Sequence, residues 1–184
     1  MQDDHVLLQA FPTKCEADVR QLIALFPSGW RVAGSFDVFV AGERLTIPKR
    51  LYVDRDTIDR SLLTARQTQL LDCLLTRHND GFVRQEHLSC ILDLDEQWIP
   101  PFVNQLAGEY VLEILDQIWR EQAKLRIPVF SRFVAGNPAF MRLTREHIIS
   151  YWDSYYRRVY QNIDEYVGWK LVRYLEIYDP VRRE

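Results

Sequence analysis

The chain reads as a mostly α protein, α+β in element order: a bundle of about six to seven helices with one antiparallel β-hairpin near residues 30–53. Three observations predict this. Apolar residues recur at helical spacing over most of the length, most clearly from Trp98 to Trp119. They switch to period two only between Trp30 and Ile47. Helix-start signals precede several of the periodic runs.

The first helix is expected to start at Thr13, where Thr13-Lys14-Cys15-Glu16 has the spacing of a capping box, and to run to about Phe26 before Pro27-Ser28-Gly29 stops it. Trp30, Val32, Phe36, Val38 and Val40 then share one strand face. Gly42 marks the turn, and Leu45 and Ile47 return on the matching face. Two registers, offset by two residues, keep that face buried. Pro48 removes a ladder donor and so belongs at an outward edge or a bulge. A lone hairpin is marginal in water, so it must pack on the helices or extend a sheet from another chain. The apolar surface of the helices favours packing within the chain.

Thr64-Ala65-Arg66-Gln67 is a second capping box, opening a helix with the stripe Leu70, Leu71, Leu74 and Leu75 that ends at Asn79-Asp80-Gly81. Phe82-Val83 read as a short extended link. A compact helix from about Arg84 to Leu92 and an acidic turn, Asp93 to Glu96, follow. From Trp98 to Trp119, the spacing of Ile99, Phe102, Val103, Leu106, Tyr110, Val111, Ile114, Leu115 and Ile118 predicts one long amphipathic helix. Pro100 and Pro101 fit its first turn, and Glu109, Glu113 and Asp116 form a solvated ridge. Gly108 inside it costs about 1 kcal/mol against alanine, which implies close approach of a neighbouring backbone or ring.

Beyond Glu121 the pattern is irregular until Asn137-Pro138, an N-cap with proline at the first helical position; Thr144 is expected to cap a further helix, from about Arg145 to Tyr160. Asn162 to Glu165 starts the last one. We expect a single domain over 1–184, with a possible subdivision into a helix plus hairpin (1–54) and a helical bundle (62–184).

Composition excludes several function classes. A formal charge of −3 on 184 residues is too small to coat nucleic acid or to act as a solvating acidic tail. Apolar runs are far shorter than a membrane span needs, and the opening Met1-Gln2-Asp3-Asp4 lacks a basic leader, so the expected location is cytoplasmic. Cys15, Cys73 and Cys90 form no C-x-x-C pair and read as reduced thiols, the last two as small core side chains. His5, His78, His87 and His147 have no ligand spacing and read as surface or capping residues. The sequence also lacks a nucleophile motif and a glycine-rich phosphate loop. The expectation is therefore a non-enzymatic protein with no catalytic, metal or cofactor residues.

The C-terminal third is rich in aromatics: Tyr151, Trp152, Tyr155, Tyr156, Tyr160, Tyr166, Trp169, Tyr174 and Tyr178, interleaved with Arg157, Arg158, Lys170 and Arg173. On the helix near 145–160, Ile148, Trp152, Tyr155 and Val159 form a stripe opposite Glu146, Ser150, Asp153 and Arg157, which is the segregation of a docking helix. Tyr151 and Tyr156 are surplus to that stripe. Tyr151, Tyr155, Tyr156, Arg157, Arg158 and Trp169 are thus the candidate interaction surface, for a protein partner or for self-association.

The alternative is a nucleic-acid-binding regulator using the helix series 64–119. The start of the long helix offers only Asn104 and Gln105 to read bases, so nucleic acid is the less favoured partner. Asp80-Gly81-Phe82-Val83-Arg84 resembles the turn of a HEAT-type helical hairpin, which implies paired-helix packing. Phe26-Pro27-Ser28-Gly29-Trp30, Thr76 to Gly81 and Gly108 to Val111 together resemble a bacterial protein family of unknown function, which implies no site residues.

Overall fold

The period-two segment forms a two-stranded antiparallel hairpin, β1 (Arg31–Val40) and β2 (Glu43–Tyr52), in the computed structural model, which describes residues 2–125 and 127–177. Its turn is Ala41-Gly42, with φ of 52° and 86°. That primed geometry matches the twist of the strands and selects one register. Val38 lies opposite Leu45, and Phe36 opposite Ile47. Val38, Val40, Leu45 and Ile47 are buried, as the alternation requires. Pro48 is buried on β2, an edge strand of the two-stranded sheet, opposite Ser35 and beside Gly34 at φ 67°, a conformation glycine adopts at little cost.

Backbone contacts group the described residues into two units, one ending at Ile91 and one beginning at Leu92. In the first, α1 (Gln2–Leu8), α2 (Glu16–Ile23), α3 (Ala65–Leu75) and α4 (Gly81–Ile91) accompany the hairpin. The hairpin packs on α1 and α3 within the chain. The backbone of β2 is met from outside the sheet at two residues, Thr46 and Leu51. Thr46 N–H donates to Gln9 at 2.9 Å, Leu51 N–H donates to Arg77 at 2.8 Å, and Asn79 N–H donates to Leu51 at 3.0 Å.

Buried polar side chains stitch the same junction. The Arg77 guanidinium donates to the carbonyls of Pro48 and Lys49, and His78 accepts from Asp80 N–H at Nδ1, which leaves Nε2–H to donate to Val53 O at 2.9 Å.

The Thr64–Gln67 capping box is present with both of its hydrogen bonds. The one expected at Thr13 is not. Thr13 gives both its N–H and its hydroxyl to Glu43 on the hairpin, so it begins a short 3₁₀ turn and α2 follows from Glu16. The expected extended link at Phe82-Val83 is helical too, because the Asp80 carboxylate accepts the Phe82 N–H and caps α4 from its first turn.

The second unit contains α5 (Ile99–Ala107), α6 (Leu112–Arg120), α7 (Ile127–Gly136), α8 (Pro138–Tyr151) and α9 (Val167–Ile177). The single helix expected over 98–119 is two helices, broken at Gly108–Val111. Gly108 ends α5 where Thr144 of α8 presses on it: a Cβ there would lie 3.2 Å from the Thr144 methyl. The glycine marks a close approach, as its cost implies, but at a break. Glu109 is consequently buried and does not belong to a solvated ridge.

α5 packs against α6, α7, α8 and α9, and its side chains from Ile99 to Asn104 are buried all round. At α8, Asn137 and Pro138 sit at the expected N-terminus, yet the Asn137 amide donates back to Phe133 O. Thr144 caps no helix; it lies inside α8 with its hydroxyl on Phe140 O. With α1, α7 and the broken helix added, the described residues hold nine α-helices and one hairpin.

Candidate functional site

The end of α8 widens into a π-helical turn, Trp152–Tyr156, in which Arg157 N–H reaches Trp152 O at 2.7 Å. The extra residue in the turn rotates everything after it. Tyr155 and Val159, expected on the docking stripe, are 65% and 71% exposed. Tyr156 turns inward instead: its hydroxyl donates to Tyr110 O, and its ring stacks on Tyr166 at 5.3 Å. Trp152 Nε1–H closes the turn on Tyr160 O at 2.8 Å. Tyr166 is fully buried, and desolvation pushes its phenol far above the ordinary value; burial raises Tyr156 in the same direction.

Outside this inner stack, three tyrosines form a connected surface. Tyr110, which the helix break leaves 52% exposed, lies 5.8 Å from Tyr151 and 6.2 Å from Tyr155, with Tyr151 and Tyr155 6.3 Å apart. Arg157 pairs with Asp153 at 2.7 Å, and Arg158 is exposed. Five of the six candidate residues therefore lie in this turn or within two residues of it. Trp169 lines a hollow of about 220 Å³ with Trp119, Lys170, Arg173 and Tyr174, its Nε1–H on Asp164 at 3.1 Å. Tyr178 lies outside the described residues. The sequence does not mark Tyr110 as a surface residue, because its spacing places it on the apolar face of an unbroken helix.

A second group lies in the first unit, between α3 and α4. Asp72 and His87 are buried, 2.9 Å apart from Oδ1 to Nδ1, and the same carboxylate oxygen accepts from Arg60 at 2.8 Å. Arg55 ion-pairs with Glu86 and brings Nη1 to 3.4 Å from His87 Nε2. A guanidinium only donates, so Nε2 is the acceptor and Nδ1–H points at Asp72. The Arg55 contact holds the Glu86 carboxyl below its ordinary pKa.

Cys90, one helical turn beyond His87, is exposed and in no disulfide. It is not the core thiol expected, because Leu88 and Ile91 take the inward positions of α4. Likewise His78 and His87 are buried and not surface residues, although His78 accepts the Asp80 N–H just ahead of α4. The donor atoms of Asp72, His87 and Cys90 all lie within 4.8 Å of one another, and His87 and Cys90 line a pocket of about 280 Å³ with Arg55, Arg60 and Glu86. Two signals in the sequence point here: Asp72 interrupts the run Leu70 to Leu75, and His87-x-x-Cys90 sets two donors on one helix face.

Comparison of the chain with family models, with curated proteins and with solved structures finds no match. Among the described residues no helix is long and apolar enough to cross a membrane.

Proposed function

We propose that the chain is a non-enzymatic protein-interaction module that binds a polypeptide partner through the tyrosine face of its second unit. The observation that carries this reading is the set Tyr110, Tyr151 and Tyr155, ring beside ring, with Tyr110 and Tyr155 exposed and an exposed Arg158 in the segment that follows. Large amphipathic rings with few rotatable bonds and a guanidinium are the side chains that contribute most at protein interfaces. The inner stack of Tyr156 and Tyr166 supports the face from beneath, so its rings are held in place before a partner arrives and little ordering entropy is lost on binding. The face mixes signs, with Asp153 beside Arg157, which suits a partner segment that also combines apolar anchors with charge.

The nucleic-acid alternative has less support. Asn104, one of the two base-reading candidates on α5, is fully buried, and so are Trp98 and Phe102 around it.

The test pairs the wild-type chain with Tyr155→Ser and Arg158→Glu variants, both at exposed positions. Light scattering behind size exclusion reads self-association, and quantitative pull-down from the host reads a second protein. A dimer or a partner retained by the wild type and lost by at least tenfold in both variants supports the reading. A monomer with no partner that distinguishes the three proteins overturns it.

A further inference from the structure

We propose that Asp72, His87 and Cys90 bind a zinc ion, holding α3 and α4 together. This rests on the α3–α4 cluster and is independent of the tyrosine face.

The donor chemistry is that of zinc. A thiolate, an imidazole nitrogen and a carboxylate oxygen are the three ligand types this ion takes, whereas calcium and magnesium demand oxygen throughout. Zinc holds its ligands at roughly 2.0–2.3 Å in a tetrahedron, so neighbouring donor atoms stand roughly 3.3–3.8 Å apart. All three donors here lie within 4.8 Å of one another; on binding, His87 Nδ1 gives up the proton it holds toward Asp72 at 2.9 Å, and the two atoms part to the spacing of zinc ligands. Cys90 is exposed and turns on a single side-chain torsion, so closing the remaining gap leaves the core undisturbed.

The fold explains why these donors meet. His87 and Cys90 are three residues apart on α4 and project from the same face, and the packing of α3 on α4 brings Asp72 opposite them. The two arginines do not forbid a dication. Arg55 is paired with Glu86 and Asp56, and Arg60 bonds Asp72. The charges of Glu86 and Asp56 offset the two guanidiniums, which leaves the Asp72 carboxylate and a Cys90 thiolate to balance the ion. Arg60, 2.8 Å from Asp72, then supplies the outer hydrogen bond that orients a ligating carboxylate. Three protein donors leave a fourth position for water, and His87 and Cys90 line a pocket of about 280 Å³ that can hold it.

The experiment uses the full chain, reduced and stripped with chelator, titrated with Co²⁺ and then with Zn²⁺. One equivalent of Co²⁺ should produce the near-ultraviolet thiolate-to-cobalt absorption, and one equivalent of Zn²⁺ should abolish it. Cys90→Ser, at an exposed position that circular dichroism will confirm as folded, should lose the band and weaken Zn²⁺ binding more than about 100-fold. Arg60→Gln should keep the band while weakening Zn²⁺ by about 10–100-fold, the usual effect of removing an outer partner. Absence of a thiolate band in the wild type overturns the proposal. So does a band of equal strength in Cys90→Ser, which would assign it to Cys15 or Cys73.

Discussion

Gly108 is where helix propensity and packing pull in opposite directions, and replacing it with alanine measures which one wins. Its φ of −87° and ψ of 12° are open to any residue, so Gly108→Ala strains no backbone. Restricting the unfolded chain alone would stabilise the protein by about 0.4–1 kcal/mol. Against this, the new Cβ would sit 3.2 Å from the Thr144 methyl and 3.7 Å from its Cα, inside the normal separation of about 3.5–4.0 Å for the methyl contact. Both residues are buried, so relief requires α5 and α8 to part, and overpacking of this kind costs about 1–3 kcal/mol. The expected net effect is a loss of about 1 kcal/mol.

Thr144→Ser removes the offending methyl while keeping the hydroxyl that donates to Phe140 O at 3.0 Å. In that background Gly108→Ala should be neutral or stabilising by about 0.5 kcal/mol, a change of sign read as a coupling of about 1–2 kcal/mol in a double-mutant cycle. Urea unfolding followed by far-ultraviolet circular dichroism on the four proteins supplies the numbers. Equal cost in both backgrounds would refute the claim that contact with Thr144 is what reserves this position for glycine.

Other consequences follow from the first unit. Thr64→Ala removes a capping box with both bonds in place and should cost about 1 kcal/mol by urea unfolding. Arg77→Met takes the donors from the Pro48 and Lys49 carbonyls at a fully buried position; a loss of about 2–4 kcal/mol is expected, with the hairpin amides losing hydrogen-exchange protection first. Hydrogen bonds from Thr13 hold the Glu43 carboxyl below its ordinary value of 4.5, so its contribution is complete above that pH and is lost as pH falls through the lower folded value. Glu43→Gln should therefore narrow the difference in stability between pH 7 and pH 3, by a small amount because the site is near solvent.

Wherever a single short-range rule decided the outcome, the sequence was legible. The alternation from Trp30 to Ile47 survives as a hairpin because a period-two face has no helical solution, and Thr64 with Gln67 caps α3 because nothing nearby competes for either group. Thr13 shows the opposite case. Its spacing to Glu16 is the same as that of Thr64 to Gln67, but Glu43, thirty residues away, offers one carboxylate to both of its donors and displaces the local cap. No window of the sequence contains that competition.

The candidate surfaces divide along the same line. Tyr151, Tyr155 and Tyr156 were visible as a cluster, but which of them face outward depended on one residue of extra winding at Trp152–Tyr156, and periodicity read at 3.6 residues per turn assigns Tyr155 and Tyr156 the wrong way round. Asp72, His87 and Cys90 lie on two helices, and each meets only its own neighbours in the sequence, where Cys90 resembles a small core residue and His87 a scattered histidine. Only the packing of α3 on α4 makes them one group. A polar residue inside an apolar run, such as Asp72 among leucines, is the local trace of such a group, because its burial without a partner would cost several times what a leucine there would gain.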